Sequence, residues 1–351
     1  MKFCFFGWNF PIWIGKALEK EGHYVLFNQF SPDVDVVVTQ GLKYIYGAYR
    51  NIKSIKKNKI KLINFFHDVP PWRVQYNYDE NSLKNYVRML LYDYLNRKQF
   101  LYDKVKNLHP SIENGKFKNL ILDYIHRLFD TRLTNRFTYL IIYKKFMKKA
   151  DLNLSISKYA QVLAKKILSL DTELCYLCVN SDLLLSIPKF PIKYDAINIS
   201  RIAKNKRQEL FVEAAINCGL NIAVFGAYED RSIKLNCPHY FIPDHRTVLE
   251  ELSKARFYVD PSTHEGFGMT PVEAAYLDKI TIASDIPIHK EILGDYPLYF
   301  KKDNLKDLEE KMRMVINGDF TKDKDSVNLI KERYSIQTMK KNFLEHAESL
   351  L

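Results

Sequence analysis

Short, unbroken apolar runs recur along this chain, each followed by a stretch with helical spacing, and that alternation restricts the fold more than any other feature. KFCFF, YVLFNQF, DVDVVVTQ and IKLINFF come early, with DLNLSIS at 151–157; AINIS, NIAVF, HYFIP, RFYVD and KITIAS follow in the second half. Runs of this length and character are strands buried on both faces, which occur where helices cover a parallel sheet. FPIWIGKALEKEGH, QELFVEAAINCG (with Gly219 as a stop) and RTVLEELSKA supply the helical spacing, and the residues after KITIASD read as a helical tail. The expectation is an α/β chain of two doubly wound, Rossmann-like domains that face each other across a cleft lined by the carboxyl ends of strands. IPKFPIKYD at 187–195 carries two prolines and no clear periodicity, as a linker does. The expected division is 1–183, including a helical segment at 82–149, and 184–335, with 336–351 a helix returning to the first domain.

At 351 residues, with 47% apolar and 27% charged side chains, the chain is long enough for two cores and is not of disordered composition. The N-terminal MKFCFFGWNFP meets Gly and Pro too soon for a signal peptide, and FTYLIIY at 137–143 is far too short for a membrane span. Five cysteines in a chain of this size fit a reducing cytoplasm better than a disulfide framework. Cys175 and Cys178 form one CxxC with no second ligand pair, so the spacing reads as incidental. The net charge of +12 is uneven: Gly41 to Ala150 carries +15 and the remainder −3. A positive field confined to one region points to an anionic partner there.

The stretch EGFGMTPVE carries the sharpest chemistry. Gly266 and Gly268 let backbone approach a ligand closely, and Thr270 and Pro271 read as the cap and first position of a helix through VEAAYL. With the strand ARFYVD before it, the unit is strand, glycine turn and helix. The helix start is a seat for phosphate, and Glu265 and Glu273 flank it.

The order of several such segments resembles the C-terminal domain of the retaining GT-B glycosyltransferases of family 4, whose signature is E-x7-E. SRIAKNK matches the Arg and Lys that follow a strand, NIAVFG the next strand, HYFIPD a base-touching segment, PSTHEGFGMTPVEAA the signature, and ITIASDIPIHKEIL the strand and loop after it. MKKADLNLSISKYA is similar to the last strand-and-helix entry of the family's N-terminal domain, and FFHDVPP to its His-Asp segment. The resemblance is continuous over about 150–335 and patchy before. Departures are a single glycine, Gly7, in GWNFP; Cys178-Val179-Asn180 in place of Gly-Val-Asp; and Asp278-Lys279-Ile280 in place of Gly-x-Pro.

The resemblance implies a hexosyltransferase that uses a nucleoside diphosphate sugar, GDP- or UDP-linked, and a glycan or lipid-linked hydroxyl acceptor. Arg201 and Lys206 would neutralise the pyrophosphate, with Gly268, Met269 and Thr270 at the helix start; Gly266 and Phe267 would meet the sugar. Glu273 would take the ribose hydroxyls, Ile242 would lie beside the base, and Gly7 would form the N-domain glycine loop. Glu265, His67 and Asp68 would serve catalysis, Glu265 as the anion facing the anomeric carbon. Neither a divalent metal nor a resident cofactor is expected. The expected place is the cytoplasm, with a peripheral position at the inner membrane face as an extension. The basic segment 82–149 has two readings, an anionic membrane-docking face or ordinary packing with solvated lysines. A basic nucleic-acid-binding protein, or a phosphorylase or hydrolase of the same fold, stands as the alternative; nucleic acid is disfavoured because the motif-bearing half is slightly acidic.

Overall fold

The structure is a computed structural model that describes residues 1–7, 10–40, 48, 51–67, 144 and 146–351. Asp68 and most of the basic segment 82–149 lie outside the described residues. The chain divides into two compact units, one of residues 1–155, 160–173 and 345–351, the other of 156–159 and 174–344.

In the first unit β1 (Lys2–Phe6), α1 (Phe10–Lys20), β2 (Tyr24–Phe27), β3 (Val36–Gln40), α2 (Ile52–Lys57), β4 (Lys61–Phe66), β5 (Leu152–Ser155) and the start of β6 (Glu173–Leu174) follow in order. Helix α3 (Lys158–Leu163) runs from the second unit's short segment into the first. The strands form one sheet in the order β2-β1-β3-β4-β5-β6, and the pairings from β2 to β5 are all parallel. VVV of β3 and LINFF of β4 are buried on both faces, which is why they read as unbroken apolar runs rather than alternating ones.

The second unit contains α4 (Ser181–Leu185), β7 (Tyr194–Ile199), α5 (Gln208–Asn217), β8 (Ile222–Phe225), β9 (His239–Tyr240), α6 (His245–Ser253), β10 (Ala255–Asp260) and α7 (Met269–Tyr276). It continues with β11 (Ile280–Ser284), α8 (Pro287–Leu293), β12 (Leu298–Phe300), α9 (Leu305–Asn317), α10 (Lys324–Arg333) and α11 (Ile336–Glu348), whose last residues group with the first unit. Its strand order is β12-β11-β10-β7-β8-β9. The first strand, β7, lies in the middle; β8 and β9 are laid down on one side of it, and β10, β11 and β12 on the other. Helices α5 and α9 close one face with Phe211, Ala214, Leu308, Met312 and Val315 over Ala196, Val224, Phe257 and Ile282. Side-chain caps from Asp244 to Thr247 N (2.9 Å), Asn304 to Asp307 N (3.1 Å) and Asp323 to Ser326 N (2.7 Å) start three of the helices, each worth about 1 kcal/mol.

Three details differ from the sequence expectation. HYFIP supplies only the two-residue β9, an edge strand whose partner β8 ends at Phe225, opposite Tyr240. The tail after KITIASD is not wholly helical: Leu298, Tyr299 and Phe300 pair with Ile282, Ala283 and Ser284 to complete the sheet. The cap of α7 is Gly268, not Thr270. Gly268 has φ 84° and ψ 74°, a left-handed conformation that glycine adopts without penalty, so the helix begins at Met269. Pro271 then falls within the first turn, where its missing N–H costs nothing.

Gly226, just past β8, has no room for a side chain. A Cβ there would lie 1.8 Å from the carbonyl oxygen of Ser200, at the exit of β7. Gly226→Ala is therefore expected to force the two strand exits apart and to cost about 3 kcal/mol, at the upper end for overpacking. A urea midpoint unchanged from that of the native chain would refute this account of the contact.

Candidate active site

Reversal of strand order between β7 and β10 opens a crevice at their carboxyl ends, the place where sheets of this kind bind ligands. The loop leaving β7 carries Arg201 and Lys206; the loop leaving β10 carries Glu265, Gly266 and Gly268. Buried hydrogen bonds fix the floor: Asn198 Nδ2 donates to the Val259 carbonyl at 2.8 Å, and Ser200 Oγ donates to Asn198 Oδ1 at 3.0 Å. Thr263 N donates to the Asn205 carbonyl at 2.8 Å and ties the two loops together. Ser284 Oγ reaches the Ser262 carbonyl at 2.5 Å from β11.

Across this crevice Lys206 Nζ donates to Glu265 Oε1, which also accepts from Ser262 Oγ at 2.8 Å. The Lys206 and Glu265 side chains are only 14% and 12% exposed, so neither charge has water enough to do without the other. Arg201 lies in the open and pairs with Glu229 of the loop after β8. Gly266 accepts at its carbonyl from Ser157 Oγ at 3.0 Å. Phe267 is buried edge-on against Tyr334, with ring centroids 5.2 Å apart, so its side chain anchors the loop and leaves only its backbone for a ligand. Met269 and Thr270 occupy the first turn of α7.

A second acid cluster lies beneath. Tyr258 is fully buried and donates to Asp260 Oδ2 at 3.4 Å. Burial, reinforced by Asp260, Glu265 and Glu273, pushes its phenol well above the ordinary value. Burial alone would raise the Asp260 carboxyl, but the neighbouring His289 and Lys206 charges and hydrogen bonding from Ser262 hold it below the usual range. His289 is completely buried; its Nδ1 faces the Ser284 carbonyl at 2.9 Å and so carries the proton, while Nε2 lies 3.8 Å from Asp260 Oδ2.

Glu273, one turn into α7, is buried to 5% exposure, and its Oε1 accepts from His245 Nε2 at 2.9 Å. Ile242, half-buried, lies between β9 and α6, beside the strongly exposed Phe241. Gly7 and His67 belong to the first unit. Gly7 is hemmed in by Gln40 and Pro11, and its N–H donates to Asn28 Oδ1 at 3.2 Å. His67, past β4, packs its ring 5.3 Å from that of Phe10. The thiols of Cys175 and Cys178 are wholly buried, and that burial pushes both up, Cys175 to about 12.

Sequence reasoning missed His245, Asp260 and His289. Asp260 ends a strand that was recognised as a strand; His245 and His289 stand early in helices, and no local spacing announces which acid each will meet. Among the described residues no three His, Cys, Asp or Glu side chains converge as metal ligands, and no helix is long and apolar enough to cross a membrane.

This architecture, two parallel-sheet Rossmann-like domains in one chain, is the GT-B fold. Residues 186–335 match the family model of glycosyl transferases group 1. Over 75 residues the chain is 38% identical to the O-antigen chain mannosyltransferase RfbU of Salmonella typhimurium, a stretch that is 20% of this chain and 21% of that protein. The chain thus matches about a fifth of the length of that curated relative. A sucrose-phosphate synthase from Thermosynechococcus elongatus superposes with a TM-score of 0.66 at 11% identity, covering 100% of this chain and 99% of the other. HepE of Anabaena, in complex with UDP and glucose, gives 0.64 at 12% identity, covering 99% and 100%. A glycosyltransferase from Rickettsia africae gives 0.62 at 14% identity, covering 99% and 98%.

The Glu273–His245 pair makes stability depend on pH. Its hydrogen bond to Glu273 lifts the His245 imidazole above its ordinary 6.5, against an opposing burial effect, and the charges of Glu273 and Asp244 add to the rise. A histidine raised on folding stabilises the fold below its unfolded value, and the contribution fades as pH climbs through the raised one. His245→Gln keeps an N–H donor but no charge. The stability gap between it and the native chain should be widest below about pH 6.5 and close at alkaline pH. Chemical denaturation across that range checks this; a gap independent of pH would contradict it.

Proposed function

We propose that the chain is a retaining hexosyltransferase that moves a hexose from a nucleoside diphosphate sugar to a hydroxyl of a glycan or lipid-linked acceptor. The observation that carries the reading is the placing of Arg201, Lys206 and Glu265 at the β7–β10 switch point, within the stretch that matches group 1 glycosyl transferases. In this reading the diphosphate lies against the first turn of α7, where backbone N–H groups and the helix dipole favour an anion. Arg201 exchanges Glu229 for a phosphate oxygen, and Lys206 exchanges Glu265 for another, so no cation is stranded at any stage. Lys206 leaving Glu265 unmasks a carboxylate that faces the anomeric carbon as positive charge develops there. The bond from that carbon to the phosphate oxygen breaks, the acceptor oxygen bonds to the same face, and the acceptor proton passes to the departing phosphate. Glu273 binds the ribose and Ile242 lies beside the base; His67 and Asp68 are assigned to the sugar and acceptor end on the resemblance alone.

With the leaving group's charge met by Arg201 and Lys206, the reaction needs no divalent ion. Similarity to a mannosyltransferase supports mannose as the hexose and a glycan chain as the acceptor; UDP in a structural neighbour keeps a uridine donor open. A lipid-linked acceptor would put the protein at the inner membrane face, which would suit the basic segment 82–149.

Thermal unfolding with GDP, UDP, ADP and TDP and their sugars tests the reading: one nucleotide should raise the midpoint, and no shift with any of them would overturn it. Glu265→Ala should keep that shift while losing transfer by about 10²–10³-fold, the scale for a lost transition-state contact; transfer at the native rate would remove Glu265 from its role. Proton NMR of the product should give the donor's anomeric configuration with EDTA present. An inverted product would refute retention, and loss of turnover in EDTA would refute metal independence.

A further inference from the structure

Glu273 is a carboxylate almost wholly removed from water, and a buried charge needs a partner. Its partner is His245, the first residue of α6, which donates from Nε2 to Oε1 at 2.9 Å. The two residues come from different helices, 28 positions apart, and the position of His245 is itself fixed. Asp244 caps α6 by accepting from the N–H and the hydroxyl of Thr247, at 2.9 and 2.6 Å. The imidazole is more open than the acid, at 40% side-chain exposure against 6%. Among the described residues Glu273 makes no other side-chain hydrogen bond, so Oε2 is left to accept from a ligand.

We propose that His245 is a positioning residue for the nucleoside ribose: by occupying Oε1 of Glu273 it fixes the carboxylate so that Oε2 is presented to the ribose hydroxyls. The inference rests on the nucleotide-sugar reading above and adds to it a residue outside the E-x7-E motif. The carboxylate needs a donor here rather than a particular ring, so glutamine should substitute in part and leucine should not.

The test compares UDP and GDP with their 2′,3′-dideoxy counterparts by calorimetry, on the native chain, His245→Leu, His245→Gln and Glu273→Gln. The native chain should bind the ribonucleotide of its donor more tightly than the dideoxy form. His245→Leu should weaken ribonucleotide binding about tenfold, the scale of one hydrogen bond to a charged group, and leave dideoxynucleotide binding nearly unchanged. His245→Gln should recover most of the discrimination, and in turnover the leucine variant should raise donor KM with little change in kcat. In the double variant His245→Leu/Glu273→Gln, the ribose-dependent loss should not exceed that of Glu273→Gln alone. Undiminished discrimination in His245→Leu would overturn the inference while leaving the nucleotide-sugar reading intact. Equal weakening toward both nucleotide forms would also overturn it, since that is the signature of general damage. Failure of the native chain to bind any nucleotide would remove both. If His245→Leu does not fold, the outcome rests on the glutamine variant, and failure of that variant to discriminate overturns the proposal.

Discussion

Between β7 and β10 the second sheet changes the side on which successive strands are added, so the loops leaving these neighbours turn toward opposite faces. The gap they leave would be an unsupported hole were it not crossed by charge. Lys206 from one loop and Glu265 from the other meet there, largely out of water. Asn198 and Asn205 stitch the backbone on either side. Most other features of the second unit serve that crossing. Gly226 lets the exit of β8 close against Ser200, Gly268 turns the chain into α7, and Ser284 reaches in from β11.

Around the crossing, charges are arranged in compensating pairs. Three carboxylates, Asp260, Glu265 and Glu273, surround the phenol of Tyr258. Against them stand His289, Lys206 and His245, each facing one acid from a different element. Pairs of this kind add little net stability once desolvation is counted, but removing one member leaves an exposed deficit of several kcal/mol. Such a site is well suited to exchanging ionic partners, since an incoming anion and the freed carboxylate can trade places around one cation.

Much of the fold was legible because burial on both faces writes itself into composition. VVVTQ and KLINFF could be little else than interior strands, and the glycines of EGFG marked a turn that needs close backbone approach. The E-x7-E spacing likewise located both acids. What the sequence did not carry was pairing at a distance: Lys206 and Glu265 are 59 residues apart, Glu273 and His245 are 28. Such partners are chosen by the crossing of strands and not by local spacing. The start of α7 was misplaced for a related reason. Thr270 has the chemistry of a cap, but the backbone of Gly268 made the turn first. The three-residue β12 was overlooked because a short apolar run at a sheet edge has no periodicity of its own.

The anchoring of the Glu265 loop has a consequence for how this polypeptide can be divided. Phe267 rests on Tyr334, which in turn packs against Tyr176; Val179 N–H donates to the Tyr334 carbonyl, and Ser157 holds Gly266. Glu291 accepts from the backbone N–H groups of Lys158 and Tyr159. The stretch from 186 to 335 is thus recognisable as a sequence module but is not an autonomous one, because its loop is clamped from residues upstream of its own beginning. A fragment cut to the module's limits would keep both glutamates with Lys206, Ser262 and His245 but lose the Ser157 bond to Gly266 and the Tyr176 and Val179 contacts on Tyr334, so any recombination of this half with another chain should carry 156–159 and 174–185 along with it.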